Sequence, residues 1–211
     1  MSQAKVHAVL DAASVIPVLT LHDVAKAAPL AEALAAGGLR VIEMTLRTDC
    51  ALEAMAEMKR AVPELYVGMG TLRNPDDVKA SVDAGADFLV SPGLTPALAK
   101  AMLECDVAGL PGVSTASEAM SAKAMGFEAL KFFPAEQSGG APWLKSIAGP
   151  LPDIRFCPTG SISEDLAPSY LALPNVACVG GSWITPAKAI EAGEWSQITE
   201  NAKRAQSLKP R

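Results

Sequence analysis

The sequence is poor in the residues that most often bind metals. Of its 211 residues only four are cysteine and two are histidine. The cysteines are far apart and form no CxxC pair, and neither His7 nor His22 belongs to an HxH or HExxH motif. We therefore predict neither a disulfide framework nor a metal centre, and we expect no cofactor. The cysteines are interpreted as packing residues and the histidines as surface residues.

Clustered basic residues and long apolar runs are also missing. The formal net charge is -5 and the sequence pI is about 5.1, which argues against nucleic acid as a partner. No run of about 18 apolar residues occurs, and the N-terminus lacks the pattern of a signal peptide, so we expect a cytoplasmic protein with no membrane partner. An apolar content of 50% suits one compact domain over residues 1–211.

What the sequence does contain is a regular alternation of short β-rich segments with alanine-rich helical segments. Each β-rich segment is followed by a helical or helix-capable one. The eight strand candidates are SVIPVLT (14–20), LRVIEMTL (39–46), LYVGMGT (65–71), ADFLVSPG (86–93), VAGLPGV (107–113), EALKFFP (128–134), DIRFCPTG (153–160) and NVACVGGSW (175–183). This alternation predicts parallel strands joined by right-handed crossovers.

Eight such units in about 200 residues favour an α/β fold of the (β/α)8 TIM-barrel type. The helical patterns at the two ends predict an extra N-terminal helix and a C-terminal helix outside the barrel. An open doubly wound sheet is the structural alternative, because the sequence shows the units but not whether the sheet closes.

Polar residues at the ends of the predicted strands are the first candidates for a functional site, since barrel enzymes place their chemistry at the carboxyl ends of the strands. Glu43, Thr45 and Arg47 alternate with apolar residues along the second strand. The polar set therefore shares one face, which we expect to point into the barrel and its mouth, while the apolar set faces the helices.

Lys131 stands in an apolar run, between Leu130 and Phe132. Burying an ammonium there costs several kcal/mol, roughly, unless it is paired or neutral. Alternation places Lys131 and Phe133 on the inward face. Two readings remain open at this point: a structural ion pair with Glu43, or a neutral amine that attacks a ketone to form a Schiff base, with Glu43 moving protons and Arg47 holding a carboxylate.

Four further loops supply candidate binding residues. Thr71 and Pro92 follow the third and fourth strands, where each is either an ordinary turn residue or a wall of a keto-acid site. The loops CPTGSIS (157–163) and VGGSWIT (179–185) combine glycine with serine and threonine ahead of predicted helices. They are either ordinary helix caps or, in the place where barrels often bind phosphate, a phosphate site.

These motifs together resemble a known family. EMTLRT, GMGTL, SPGLTP, LPGVSTASE, KFFPAE, CPTGSIS and GGSW occur in the order and approximate spacing of the 2-keto-3-deoxy-6-phosphogluconate (KDPG) aldolases, from about Val15 to Trp183. The resemblance implies a metal-free class I aldolase, usually a homotrimer, that cleaves KDPG to pyruvate and D-glyceraldehyde 3-phosphate. It also implies 4-hydroxy-2-oxoglutarate as a second substrate.

The resemblance assigns a role to each candidate. It implies that Lys131 is the Schiff-base lysine and Glu43 the general acid/base. The residues it implies for substrate binding are Arg47, Thr71 and Pro92 for the pyruvate carboxylate, Phe133 beside the reacting carbons, and Thr159, Gly160, Ser161, Gly181 and Ser182 toward the phosphate or the distal hydroxyls.

The sequence departs from the family pattern at two positions that bear on substrate preference. Ser161 stands where many relatives have glycine, which weakens phosphate binding if the position requires a positive φ or a close backbone approach. Met69 stands where a smaller residue is common. The alternatives are an aldolase for the galactonate epimer, a barrel that isomerises or binds a sugar phosphate without a covalent step, and a barrel retained only as an interaction scaffold.

Overall fold

Each of the eight predicted strand segments contains a strand in the computed structural model, which describes the backbone of residues 2–208 and the side chains of residues 5–208. The strands are β1 (Val15–Leu19), β2 (Val41–Thr45), β3 (Tyr66–Gly70), β4 (Phe88–Val90), β5 (Ala108–Leu110), β6 (Gly112–Val113), β7 (Ala129–Phe132), β8 (Arg155–Pro158) and β9 (Val179–Gly181). The fifth predicted segment is divided at Pro111 into β5 and β6.

Helices follow the strands as the alternation predicts. They are α1 (Ser2–Asp11), α2 (Ala27–Ala36), α3 (Ala51–Ala61), α4 (Pro75–Asp83), α5 (Pro96–Glu104), α6 (Ala116–Met125), α7 (Gly140–Ile147), α8 (Ala167–Leu171), α9 (Ala187–Ala192) and α10 (Trp195–Ser207), with short 3-10 turns at Val24–Lys26 and Glu136–Ser138. The predicted extra helices at the two ends are α1 and α10. Within residues 2–208, no helix is long and apolar enough to cross a membrane.

The helix boundaries follow from capping residues in the sequence. At the start of α6 the Thr115 hydroxyl accepts a hydrogen bond from the Glu118 N–H, and the Glu118 carboxylate accepts one from the Thr115 N–H. Asn74 and Thr95 cap α4 and α5 through their side chains alone, which accept from the Asp77 and Leu98 N–H groups, and each is followed by proline. Gly126 ends α6 with a φ of 110°, a conformation that glycine adopts without a steric penalty.

All strand pairs are parallel, and hydrogen bonding orders them as β5-β4-β3-β2-β1-β9 in one sheet and β6-β7-β8 in another. The predicted closed barrel is therefore only partly realised, as a (β/α)8-type parallel array. The two interruptions coincide with Pro111 and Pro158, which have no N–H to donate to a ladder. Between β8 and β9 the pairing is reduced to bridges at Phe156–Val176 and Thr159–Gly180.

The apolar core has two parts. The larger part lies between strands and helices and includes Ile42, Met44, Leu130 and Phe132, the outward-facing residues that alternation predicts. The second part, here called the base cluster, contains buried residues of α1 and lies mostly near the amino ends of the strands, although it also includes the last residues of β4 and β5. Its members are Val6, Val9, Leu10, Ala13, Ile16, Val41, Phe88, Val90, Ala108, Leu110, Ala129, Cys157 and Cys178.

Candidate active site

Lys131 and Glu43 meet inside the strand array. Lys131 lies on β7 and Glu43 on β2, and the whole residues are 5% and 4% exposed. The Lys131 Nζ donates to Glu43 Oε1 at 3.0 Å and to Oε2 at 3.3 Å. Both side chains point inward, as strand alternation predicts. The Glu43 carboxylate is thus the counter-charge of the buried Lys131 ammonium, and one proton can pass directly between the two groups.

Gly70 on β3 makes room for the Glu43 carboxylate. A Cβ built on Gly70 would overlap the Glu43 Oε1 atom, so this position accepts no larger residue unless the carboxylate moves. Gly70 is paired in register with Thr45, two residues beyond Glu43. The sequence analysis did not select Gly70, although a glycine at the end of a strand often marks a close approach by another group.

A cavity of about 560 Å³ opens above this pair at the carboxyl ends of the strands. Thr45 and Phe133 line it, and they stand two residues beyond Glu43 and Lys131 along β2 and β7. The Lys131–Glu43 pair is not among the lining residues. It lies one inward position below Thr45 and Phe133 on the same chain segments, with 7% and 5% of the two side-chain surfaces accessible, and is called here the floor of the cavity. The Phe133 ring centroid is 5.4 Å from the Lys131 Nζ, within the range of a cation–π contact.

Arg47 and Thr71 form one wall of the site. Arg47 is exposed and lines the cavity, and its Nε donates to the Thr71 Oγ1 at 3.3 Å. Thr71 adopts a left-handed backbone conformation with φ 68°, which is unfavourable for a β-branched residue. Backbone strain of this kind costs about 1–3 kcal/mol and is concentrated at functional sites. The structure brings Arg47 and Thr71 into contact, while their role at a carboxylate site stays a prediction.

The loop after β8 forms the opposite side of the cavity. Thr159, Gly160 and Ser161 all line it, together with Ser182 from the loop after β9. The buried Thr159 Oγ1 has no hydrogen-bond partner among the described residues. Gly160 and Ser161 both have positive φ, 116° and 58°. Position 161 is thus left-handed in this chain, although a serine occupies it.

Five of the candidate residues are not among those that line this cavity: Lys131, Glu43, Thr71, Pro92 and Gly181. Pro92 is exposed and borders a neighbouring cleft of about 300 Å³. Gly181 faces away from the cavity, since a Cβ built on it would overlap the Trp183 ring. The neighbouring Gly180 lines the cavity instead. The reason is alternation along β9: Gly180 and Ser182 share the inward face, and Gly181 lies on the other.

Several polar residues at the cavity were missed by the sequence analysis. Thr20 follows β1, and its hydroxyl lies 2.6 Å from the Thr45 hydroxyl, which in turn donates to the Leu19 carbonyl at 3.0 Å. The position of Thr20 at a strand end was the available signal. His22, expected only at the surface, and Thr185 also line the cavity. Among the described residues, no group of three or more His, Cys, Asp or Glu side chains is placed to hold a metal ion.

Parallel β/α units, a buried lysine paired with a glutamate and a cavity at the carboxyl ends of the strands define this molecule as a (β/α)8-type protein with a lysine-centred site. The sequence matches the family described as KDPG and KHG aldolase over residues 6–201. The chain belongs to that family.

Individual relatives cover nearly all of the chain. A KHG/KDPG aldolase of Escherichia coli (strain K12) is 47% identical over 197 residues, 93% of this chain and 92% of the relative. A crystal structure of KDPG aldolase from Legionella pneumophila, with pyruvate captured at low pH as a covalent carbinolamine intermediate, has a TM-score of 0.93 at 45% identity and covers 95% of this chain and 97% of that one.

A second solved structure, the aldolase of Zymomonas mobilis ZM4 with 3-phosphoglycerate, has a TM-score of 0.92 at 46% identity and covers 98% of this chain and 97% of that one.

Proposed function

We propose that this protein is a class I aldolase, a carbon–carbon lyase that cleaves KDPG to pyruvate and D-glyceraldehyde 3-phosphate through a Schiff base on Lys131. The observation that carries the proposal is the buried Lys131–Glu43 contact of 3.0 Å at the floor of a cavity of about 560 Å³. The family and its KDPG-cleaving relatives support the substrate.

The contact provides the first proton transfer. Glu43 accepts a proton from the Lys131 ammonium, and the neutral Nζ attacks the C2 ketone carbon of the substrate to form a carbinolamine. Glu43 then returns the proton to the carbinolamine hydroxyl, which leaves as water and gives the iminium. Because the iminium keeps a positive charge, Glu43 retains a cationic partner at the floor of the cavity.

The iminium is the electron sink for bond cleavage. Glu43 removes the proton of the C4 hydroxyl, the C3–C4 bond breaks, and its electron pair moves into the iminium to give an enamine. The C4 carbon leaves as the aldehyde of glyceraldehyde 3-phosphate. Protonation of the enamine at C3 and hydrolysis of the resulting iminium release pyruvate and restore the amine. No metal or organic cofactor is required for these steps.

The two sides of the cavity bind opposite ends of the substrate, its carboxylate and its phosphate. The hydrogen bond from Nε to Thr71 orients the Arg47 guanidinium, which holds the substrate carboxylate. The face of Phe133 borders the reacting carbons. On the opposite side Thr159, Gly160, Ser161 and Ser182 bind the distal hydroxyls and the phosphate. Pro92 and Gly181 support the loops and do not contact the substrate at this cavity.

The strand array is proposed to act as a complete barrel in one domain over residues 1–211. The bridges at Phe156–Val176 and Thr159–Gly180 support this closure, because they join the two sheets at the last gap. By resemblance to the family, the protein is a homotrimer and works in the cytoplasm.

Cleavage of 4-hydroxy-2-oxoglutarate to pyruvate and glyoxylate is the second activity that we propose. It is supported by the KHG/KDPG name of the E. coli relative and by a 39% identical structure described as a 4-hydroxy-2-oxoglutarate aldolase as well. The same Lys131 and Glu43 chemistry serves both substrates, because only the group beyond C4 differs. No observation favours the galactonate epimer or a non-covalent role.

Borohydride trapping tests the covalent step. The protein is incubated with pyruvate, reduced with sodium borohydride and digested, and the peptides are weighed by mass spectrometry. We expect a permanent mass increase on the peptide that carries Lys131. A barrel that binds or isomerises a sugar phosphate, or an inactive scaffold, gives no such adduct.

Lys131→Arg is the matched control, because arginine keeps a positive charge beside Glu43 but is not deprotonated in proteins. This variant is expected to fold, to form no adduct and to release no pyruvate from KDPG in an assay coupled to lactate dehydrogenase. Pyruvate release by Lys131→Arg, or an adduct elsewhere in the wild-type chain, contradicts the proposal.

A further inference from the structure

The turn after β8 rests on the segment that follows β7. The Ala135 N–H donates to the Thr159 carbonyl at 2.8 Å, and the Glu136 N–H donates to the Gly160 carbonyl at 3.3 Å. A Cβ built on Gly160 would lie 3.0 Å from the Pro134 Cα, so the backbones are close. These contacts fix the position of the turn relative to the strand that carries Lys131.

A side-chain hydrogen bond extends this backbone ladder by one step. The Gln137 Nε2 donates to the Ser161 Oγ at 2.9 Å. Below it, the Tyr170 hydroxyl of α8 donates to the Glu136 carboxylate, and burial followed by this hydrogen bond raises the pKa of Tyr170 above its ordinary value. Residues 136 and 137 are thus tied to the chain after β8 at two points.

Ser161 keeps an unfavourable backbone conformation. With φ 58° it is one of two non-glycine residues with positive φ among the described residues, and the other is Thr71 at the opposite wall. A left-handed serine costs stability that a glycine at the same place does not. Strained residues of this kind point to a functional hypothesis for the side chain that they present.

The direction of the hydrogen bond decides what Ser161 offers to a ligand. Because Gln137 donates and Ser161 accepts, the hydroxyl proton of Ser161 remains available for another acceptor. Ser161 lines the cavity beside Thr159 and Ser182. A hydroxyl that is held as an acceptor on one side and free to donate on the other suits an anionic oxygen.

We infer that Gln137 is a positioning residue that orients the Ser161 hydroxyl as a donor to the anionic distal group of the substrate, and that the Gln137–Ser161 pair sets the preference for phosphorylated over unphosphorylated substrates. The inference rests on the proposed function and names two residues that decide substrate choice within it. Gln137 itself does not line the cavity.

Steady-state kinetics with two substrates test the pair. In Gln137→Ala we expect KM for KDPG to rise about 3- to 10-fold, the effect of one hydrogen bond, with kcat little changed. KM for the unphosphorylated analogue of KDPG, whose distal end is a neutral hydroxyl, is expected to stay within about 2-fold, because it offers no anionic oxygen to the Ser161 donor. Gln137→Glu is expected to raise KM for KDPG further, since a carboxylate takes the hydroxyl proton and adds negative charge.

Two controls separate positioning from folding. Gln197→Ala, an exposed glutamine on α10, is expected to leave both KM values unchanged. In a Ser161→Ala background, Gln137→Ala is expected to have no further effect on KM for KDPG, because the hydroxyl it orients is gone. Additive effects of the two substitutions overturn the inference.

The remaining outcomes are also decisive. Equal changes for both substrates in Gln137→Ala indicate a merely structural role and overturn the inference, as does an unchanged KM for KDPG. The borohydride adduct with pyruvate does not involve the distal end, so its presence with an unaffected Gln137→Ala defeats this inference alone. Its absence from the wild-type protein defeats the proposed function and this inference with it.

Discussion

The two ends of the strand array differ in polarity and in strain. On three strands an inward residue belongs to the base cluster, whereas the next inward residue along the same strand is charged or polar. The changes are Val41 to Glu43 on β2, Ala129 to Lys131 on β7 and Cys157 to Thr159 at the end of β8. Successive inward residues are only about 6.6 Å apart along a strand, so on these strands the interior changes from apolar to polar over that distance.

This difference separates stability from chemistry along each strand. The base cluster removes apolar surface from water. Both left-handed non-glycine residues of the described chain, Thr71 and Ser161, lie at the carboxyl ends, as does the unpartnered Thr159 hydroxyl. The mouth therefore holds groups that cost stability, and the base provides the packing that offsets them.

The largest effect is expected at the floor of the cavity. Glu43→Gln is predicted to lower kcat for KDPG by roughly 10²- to 10⁴-fold, because an amide cannot move the protons of the reaction. Some carbinolamine formation is expected to remain. The coupled assay for pyruvate measures the loss, with the exposed Glu104→Gln on α5 as the control that keeps wild-type activity. Full activity in Glu43→Gln would remove its assigned role.

An intermediate effect is expected at the base. Leu10 is fully buried in the base cluster, and Leu10→Ala is predicted to lower the free energy of unfolding by about 2–5 kcal/mol through lost contacts and a cavity. Because Leu10 does not line the cavity, kcat/KM of the folded protein is expected to stay at the wild-type value. Urea unfolding and the coupled assay measure the two quantities.

The exposed Leu166, 39% accessible, provides the matched control. Leu166→Ala is expected to change the free energy of unfolding by less than about 0.5 kcal/mol. A loss of activity in folded Leu10→Ala would show that the two ends are not separate in function.

The smallest effect is expected at the strained wall. Thr71→Gly is predicted to raise the free energy of unfolding by about 1 kcal/mol, since relief of the left-handed conformation exceeds the entropy that glycine adds to the unfolded chain. KM for KDPG is expected to rise, because Arg47 loses its hydrogen bond to the Thr71 hydroxyl. Denaturant unfolding and steady-state kinetics on the same preparation measure the change in the free energy of unfolding and the change in KM.

Thr71→Ser separates the two contributions, because it keeps the hydroxyl and removes the β-branch. It is expected to retain the wild-type KM. If Thr71→Gly lost stability, the backbone at this position would not be strained, and the contrast between mouth and base would weaken.

Strand alternation is what made the floor of the site predictable from the sequence. Glu43 on β2 and Lys131 on β7 are 88 residues apart in sequence and lie in contact, because each stands at an inward position of a strand with apolar residues on both sides. The same rule places Gly180 and Ser182 on the inward face of β9. Applied there, it would have excluded Gly181 from the cavity.

The rest depends on contacts that no local pattern encodes. The close approach of Glu43 to Gly70 requires knowledge of which strands are neighbours, and the left-handed conformation of Thr71 contradicts the preference of the residue itself. The breaks at Pro111 and Pro158 could be anticipated from the missing N–H groups, but not the way in which single bridges span the gap.

The base also limits the chemistry of the thiols. Cys157 and Cys178 are buried in the base cluster, as expected of packing residues. Interaction with the Cys157 thiol, together with burial, holds the pKa of the Cys178 thiol well above its ordinary value. Because the thiolate is the reactive form, Cys178 is expected to resist alkylation in the folded protein.

The Lys131–Glu43 contact joins β7 of the three-stranded sheet to β2 of the six-stranded sheet. This ion pair therefore also links the two sheets through side chains. To trap bound substrate on an inactive protein, Lys131→Arg is therefore preferable to Lys131→Ala, because arginine keeps the ionic link to Glu43. In Lys131→Ala the Glu43 carboxylate would stay buried without a counter-charge, and the side-chain link between the two sheets would be lost.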